Sequence, residues 1–222
     1  MRKLSFVFIF LLMSSIFVFG QSNNETVVDI DSNIYHTVKI GKQTWMVENL
    51  RTSRYRNGDT IPCISDSKAW NYATTGGYCF YKNDEMEEKV YGKIYNWYAV
   101  NDSRKIAPDG WHVATLDDWK KLIDFLGGNK KAGGKLKEKE FLHWKTPNKN
   151  ASNINGFTAL PGGYRFYNGN FGFLGETGAW WVATEHNTAE AWSICIRHID
   201  GEVLEMKGIK ANGFYVRCVK DN

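Results

Sequence analysis

The stretch TLDDWKKLIDFLGG, residues 115–128, is the clearest helix in this 222-residue chain and the starting point for its fold. Thr115 can cap the first turn, where Asp117 and Asp118 suit the positive end of the helix dipole. The pair Gly127-Gly128 ends the helix. The apolar side chains fall on one face, formed by Trp119, Leu122, Ile123 and Leu126. Such a face predicts a helix packed on the hydrophobic core.

Segments typical of β-strands lie on both sides of this helix. Period-two alternation over residues 34–48, interrupted at Gly41-Lys42, predicts a hairpin near the N-terminus. After Gly156 the chain becomes a series of short runs separated by glycine turns. These runs are 157–160, 179–184, 191–199, 202–206 and 214–219. Helices between antiparallel strands predict an α+β fold in which the first hairpin joins the last strand, so that the termini lie close together.

Three further segments carry weaker signals. Apolar residues recur at helical spacing over residues 92–100, which predicts a short helix that buries aromatic side chains. The segment between Gly58 and Gly77 shows little periodicity, and we expect a long loop there, braced by a disulfide. Lysines crowd residues 130–139 but alternate with acidic side chains, which favours a solvated, partly helical face.

The first twenty residues have the pattern of a secretory signal peptide. Arg2 and Lys3 precede an apolar stretch, and Gly20 offers a small residue for cleavage. An uncleaved membrane anchor is the alternative, but the stretch is short and is broken by two serines. No cysteine follows it that could carry a lipid. We therefore expect export to the periplasm, the cell surface or the medium without membrane insertion, a flexible lead over residues 21–27, and one domain over residues 28–222.

Composition excludes several classes of protein. The chain is 43% hydrophobic and 23% charged with only 4 Pro, which is the balance of a folded globular protein. The formal net charge is +4, and it falls to +2 once Arg2 and Lys3 leave with the signal peptide. A balance this close to neutral predicts no nucleic-acid partner.

Four cysteines in an exported chain are candidates for two disulfides. Three connectivities are open, and we favour Cys63–Cys79 and Cys195–Cys218, since each closes a short loop worth about 3 kcal/mol. A redox-active thiol pair at Cys195 and Cys218 is the alternative. The histidines are scattered and no Cys-x-x-Cys occurs, so no metal site is predicted.

Seven ordered blocks of sequence together resemble the Fibrobacter succinogenes major paralogous domain, a family abundant in exported proteins of Bacteroidetes and Fibrobacteres. They cover most of residues 28–220 and lie at residues 28–41, 43–50, 91–99, 107–119, 155–165, 180–184 and 213–219. Where the family often has a cysteine before its Gly-Trp motif, this chain has Ile106-Ala107. The resemblance therefore leaves Cys195 as the available partner for Cys218.

The resemblance implies a C-type lectin-like fold, which is also related to that of formylglycine-generating enzymes. Its expected form is two helices packed on small antiparallel sheets, with long loops that display the binding surface. The family carries no established biochemical function, and so the resemblance implies a fold rather than an activity.

The best candidate ligand surface lies at residues 143–187, where aromatic residues alternate with glycine and asparagine. Segments this rich in glycine cannot bury every ring, and exposed rings beside amides suit sugars or a protein partner. A glycine-rich hairpin whose rings fold back on the core is the alternative. The candidate ligand-binding residues are Tyr164, Arg165, Tyr167, Asn168, Asn170, Trp180, Glu185 and His186. We expect most other tryptophans to be structural.

No catalytic residue or cofactor is predicted. The nucleophile elbow, zinc, phosphate-loop and dinucleotide motifs do not occur, and neither does the acidic loop of a calcium-dependent lectin. Calcium near Asp29 and Asp31 is conceivable, but an ordinary turn fits these residues equally well. The sequence thus predicts an exported binding or adhesion module for a glycan or cell-surface protein. The alternatives are an oxidoreductase, a glycan-processing enzyme, and a structural component of a cell-surface assembly.

Overall fold

The computed structural model describes residues 25–221, which form thirteen strands and five α-helices. The strands are β1 Thr26–Val28, β2 Ile34–Ile40, β3 Gln43–Met46, β4 Tyr78–Cys79, β5 Ile94–Asn96, β6 Trp111–Val113, β7 Gly162–Arg165, β8 Phe171–Leu174, β9 Thr177–Glu185, β10 Glu190–Arg197, β11 Val203–Ile209, β12 Gly213–Phe214 and β13 Cys218–Lys220. The helices are α1 Ser67–Asn71, α2 Glu88–Tyr91, α3 Trp97–Val100, α4 Leu116–Phe125 and α5 Asn129–Leu136. Few helices and mostly antiparallel sheets confirm the predicted α+β class.

A five-stranded sheet joins the two ends of the described chain. Its order is β1-β2-β3-β13-β6. The predicted hairpin is β2 and β3, and Trp45 of β3 pairs with Val219 of β13. The expectation that the first hairpin joins the last strand is therefore confirmed. β1 begins at Thr26, inside the segment expected to be a flexible lead.

An eight-stranded sheet holds most of the C-terminal half. Its order is β11-β10-β9-β7-β12-β5-β4, and β8 pairs with β7 outside this path. Every pairing is antiparallel except that of β7 with β9. Three of the predicted runs, 179–184, 191–199 and 202–206, coincide with β9, β10 and β11 of this sheet. The run 214–219 divides between β12 of this sheet and β13 of the other, and the run 157–160 makes only an isolated bridge from Ala159 to Lys137.

Helix α4 follows its sequence signals residue by residue. The Thr115 hydroxyl accepts from the Asp118 backbone N–H, and the Asp118 carboxylate accepts from the Thr115 N–H, which makes a capping box. Trp119 lies in the core with its ring 5.0 Å from Trp45 and 5.7 Å from Phe157. The amphipathic face therefore packs as predicted.

Helix α5 lies within the lysine-rich segment and packs close to a neighbouring loop. A Cβ on Gly133 would lie 2.3 Å from the carbonyl oxygen of Glu202, so only glycine fits this approach. Lys137, just beyond the helix, is fully buried rather than solvated. Its ammonium donates to the carbonyl oxygens of Lys149, Arg197 and Asp200 at 2.8–3.1 Å.

The expected helix over residues 92–100 is only partly present. Residues 94–96 form β5, and helix α3 begins after Asn96. The Asn96 side chain accepts from the N–H groups of Gly77 and Ala99, so it caps the helix and fixes the preceding strand at once. Tyr95 and Trp97 are buried as predicted, whereas Tyr98 is only half-buried. The expected loop between Gly58 and Gly77 contains one short helix, α1.

The two predicted disulfides do not form, and all four cysteines are free thiols. The backbone of Cys63 pairs with that of Tyr78. Because Cys79 is the residue after Tyr78, its side chain points to the opposite face of the sheet from that of Tyr78. Cys195 lies on β10 of the large sheet, whereas Cys218 lies on β13 of the small one. Closeness along the chain therefore does not bring either pair together.

The signal peptide expected at residues 1–20 lies outside the described residues. None of the helices formed by residues 25–221 has the length and apolarity needed to cross a membrane.

Candidate functional site

One face of the large sheet carries an open cleft, whose floor is made of small side chains. The register sets Ala179 of β9 beside Cys195 of β10, and Cys195 beside Leu204 of β11. In the next row, Ser193 lies beside Met206. Because the floor residues are small and their neighbours are large, a cavity of about 310 Å³ remains between them. The opposite face of these strands carries Trp180 and Ile194, among other core residues.

Four aromatic rings form one wall of this cleft. Tyr164 and Phe173 stack with centroids 5.2 Å apart and an angle of 21° between their planes. Phe166 and Phe214 meet Tyr164 edge-on at 4.9 and 5.3 Å. Phe173 keeps 44% of its surface exposed. We call this surface the aromatic cleft: the wall Tyr164, Phe166, Phe173 and Phe214, the floor Ala179, Ser193 and Cys195, and the rim Leu204 and Met206.

Glycines and an unusual backbone conformation place the wall. In the β7–β8 hairpin Tyr164 pairs with Gly172, and a Cβ on Gly172 would lie 3.2 Å from the Phe166 ring. Gly172 therefore leaves room for the ring. Phe173 has a φ of 67°, in the left-handed region that bulky residues seldom adopt. A strained exposed aromatic residue is typical of functional surfaces.

Polar groups surround the aromatic wall. The lining includes the hydroxyls of Thr177 and Ser193, the amide of Asn212 and the cations Arg197 and Lys207. Arg197 donates to the Asp200 carboxylate at 2.5 Å. The cleft therefore combines flat apolar faces with hydrogen-bonding groups at its edge.

The Cys195 thiol and the Tyr164 hydroxyl in the cleft are both held in their neutral forms. Burial raises the pKa of the Cys195 thiol to about 12, so the thiolate needed for nucleophilic or redox chemistry is not populated near neutral pH. Burial, with a contribution from Cys195, also raises the pKa of Tyr164. These groups suit binding rather than nucleophilic catalysis.

Two of the predicted ligand-binding residues are buried, and their assignment needs correction. Arg165 is fully buried and donates to the carbonyl oxygens of Ile64, Ser65 and Gly169, so its guanidinium fastens a loop rather than meeting solvent. Trp180 is also fully buried, and its indole N–H donates to Asn49 at 2.8 Å. Neither side chain is accessible to a ligand.

The other six predicted residues are more accessible, but they do not form one site. Tyr164 is half-buried in the aromatic wall, and Tyr167 is 46% exposed, with its N–H donating to Asn212. Asn168 and Asn170 lie in the turn between β7 and β8 and bond to each other at 3.1 Å. Glu185 and His186 are exposed at the far end of β9, about 20 Å along the strand from Ala179. The ion pair of Glu185 with Lys210 belongs to that end.

Most of the cleft is not among the residues that the sequence predicts. The sequence predicts a disulfide at Cys195 and gives no signal that places Phe214 or Met206 in a ligand site. Alternation along residues 203–209 could have placed Leu204 and Met206 on one face. Which face lies open, however, depends on the pairing of β11 with β10.

A second cavity, of about 360 Å³, lies beside His112. Its imidazole is bonded on one side to Asp221 at 2.6 Å and on the other to Asp118 at 3.0 Å. The hydrogen bond to Asp118 contributes most to raising the pKa of His112, against the effect of burial. His112 thus joins the first turn of α4 to the end of the last strand, which is a structural task.

The acidic residues considered for calcium form a turn. The Asp29 carboxylate accepts from the N–H groups of Asp31 and Asn33, and from the Tyr35 hydroxyl at 2.5 Å. The Asp31 carboxylate accepts from the N–H and hydroxyl of Ser53. Within residues 25–221, no group of three or more His, Cys, Asp or Glu side chains is arranged to hold a metal ion.

The chain folds as an α+β protein with an open cleft on one face of its large sheet. The chain matches the family described as the Fibrobacter succinogenes major domain over residues 38–220, and it belongs to that family. Comparison with curated proteins gives no match, and comparison with solved structures gives none either.

Proposed function

We propose that this protein is an exported, non-catalytic binding module that recognises a glycan in the aromatic cleft. The observation that carries the proposal is the stacked pair of Tyr164 and Phe173 at the edge of an open cavity lined with hydroxyl, amide and cationic groups. The destination we propose is the periplasm, the cell surface or the medium.

The chemistry of the cleft matches that of a sugar. The apolar C–H face of a pyranose packs on an aromatic ring, while its hydroxyls need hydrogen-bond partners around the edge. The exposed face of Phe173 supplies the platform, and the polar side chains of Thr177, Ser193 and Asn212 line the same cavity. A volume of about 310 Å³ is at the lower end of the range for small-molecule sites. We therefore propose a site for one or two sugar units of a longer chain.

The high pKa of the Cys195 thiol and its separation from Cys218 favour a binding role over an enzymatic one. An oxidoreductase would need a reactive cysteine, but burial raises the pKa of Cys195 to about 12, and Cys195 and Cys218 lie in different sheets. This arrangement supports a binding role.

We also propose that the fold is a relative of the C-type lectin-like fold. The pairing of the first hairpin with the last strand, the two longer helices α4 and α5, and the irregular chain between Gly58 and Gly77 support this relation.

The test is a glycan array probed with residues 21–222, once in calcium and once in chelator. We expect binding in both lanes, because the cleft offers rings and neutral hydrogen-bonding groups rather than a cluster of acids. Phe173→Gly should weaken the signal, while Phe125→Ala, which removes a 65% exposed ring from α4, should leave it unchanged. If the protein binds no glycan in calcium and none in chelator, the glycan proposal is overturned, and a protein partner or a structural role is favoured.

A further inference from the structure

Strand β11 lies at one edge of the large sheet, and its outer side is open. Seven consecutive residue pairs join β11 to β10 on one side, and no strand within residues 25–221 pairs with its other side. Seven residues span about 23 Å of extended backbone. An edge of this length is a template on which another strand can pair.

The sequence of β11 does little to protect this edge. It contains no proline, and its pairing with β10 runs without a bulge. Met206 and Ile209 are 47% and 42% exposed, so the strand also carries accessible apolar side chains. A charge in mid-strand is a common protection of edges, and here Lys207 is balanced by Glu205 two residues earlier.

The two charges select a second copy of the same strand as partner. In an antiparallel pairing centred on Met206, Glu205 of each copy lies directly opposite Lys207 of the other, and Leu204 lies opposite Gly208. Twofold symmetry forms each contact twice. Opposite charges in directly facing positions stabilise a pairing, whereas like charges oppose it.

Neighbouring registers are disfavoured by the same charges. Side chains alternate between the two faces of a strand, so both clefts stay on one face only if one strand slides along the other by two residues. The smallest such slide moves the centre of the pairing from Met206 to Glu205 or to Lys207. Centring on Glu205 sets two glutamates opposite each other, and centring on Lys207 does the same with two lysines. Only the register centred on Met206 pairs opposite charges.

We propose that this protein forms a twofold-symmetric dimer by antiparallel pairing of β11 with β11 of a second copy. The two large sheets become one continuous sheet. Met206, at the rim of the aromatic cleft, lies at the dimer axis, so the two clefts adjoin. That last consequence rests on the proposed function, whereas the dimer itself does not.

Charge exchange tests the dimer directly. Sedimentation equilibrium on residues 21–222 should show dimerisation of the parent protein at micromolar concentrations. Glu205→Lys and Lys207→Glu, taken singly, each replace attraction by repulsion at both symmetric contacts and should weaken the dimer about tenfold. The double variant restores opposite charges and should dimerise within about threefold of the parent.

Lys68→Glu, on the exposed surface of α1, is the matched control and should leave the dimer unchanged. Circular dichroism and melting curves establish that each variant is folded. A parent chain that stays monomeric up to about 100 μM, in the range where weak specific complexes form, overturns the proposal. A folded double variant that remains as weak as the single variants overturns the pairing register, and with it the argument for a second copy.

Discussion

The strained backbone of Phe173 predicts an inversion of the usual order of stability between glycine and alanine variants. At an ordinary strand position glycine is less stable than alanine, by about 0.5–1 kcal/mol of backbone entropy. Phe173 has a φ of 67°, which costs a residue with a Cβ roughly 1–2 kcal/mol. Phe173→Ala keeps this strain and Phe173→Gly removes it. Both variants lose the stack on Tyr164, which contributes about 0.5–1.5 kcal/mol.

The entropy of glycine offsets part of the relieved strain, so the glycine variant should be more stable than the alanine variant by about 0.5–1 kcal/mol. Urea unfolding followed by tryptophan fluorescence measures this difference, because nine tryptophans report the transition. Glycan affinity should fall in both variants, and by a similar factor of up to about tenfold, since both lack the ring. An alanine variant as stable as the glycine variant, or more so, would refute the conclusion that strain is stored at this position.

Three further predictions concern the core and the thiols. Folding raises the pKa of His112, so the stability that the protonated imidazole contributes is complete below about pH 6.5 and is lost as the pH rises through the pKa of the folded state. The free energy of unfolding should therefore fall over this pH range. His112→Gln should make the free energy of unfolding less dependent on pH there. Arg217 is fully buried and donates to Asn49 and to the carbonyl oxygens of Met46, Phe157 and Thr158; Arg217→Met should destabilise the fold by about 3 kcal/mol or more in urea titrations, and a loss below about 1 kcal/mol would contradict this role. Only Cys63 is exposed, so iodoacetamide should label one thiol in the native protein and four after unfolding; intact-mass analysis would reveal a disulfide as two missing labels.

The parts of the fold that the sequence predicted are those whose cause is local. Thr115 and the glycines after Leu126 fix the ends of α4, and the spacing of its apolar residues fixes the buried face. The β2–β3 hairpin likewise follows from alternation and one turn. The helix expected at residues 92–100 begins late because the Asn96 side chain caps it from inside that segment.

The disulfide prediction failed because spacing along the chain does not determine which face a side chain occupies. Cys79 follows Tyr78, the ladder partner of Cys63, and Cys195 and Cys218 belong to different sheets. The fold instead fastens its irregular segments with buried cations. Arg165, Arg217 and Lys137 each donate to several backbone carbonyl oxygens that the sheets leave without partners.

The candidate site was predicted as a region but not as a set of residues. Glycines beside aromatic residues indicated exposed rings at residues 164–173, and the structure exposes Tyr167 and Phe173. The ring of Trp180 suggested ligand stacking, yet its position on β9 places the side chain in the core. The floor of the cleft comes from β9 and β10 and its rim from β11, so only the pairing of these strands brings it together.

The most direct test of the central claim, that the aromatic cleft binds a glycan, is a titration of methyl-labelled methionines by NMR. Residues 21–222 contain three methionines: Met206 at the cleft rim, Met46 in the core and Met86 exposed elsewhere. Cello-, xylo-, manno- and chito-oligosaccharides are added in turn. The account predicts that one of them shifts the Met206 methyl signal in a saturable way while Met46 and Met86 stay in place. A saturable shift at Met86 without one at Met206, or no shift with any of the four, would contradict it.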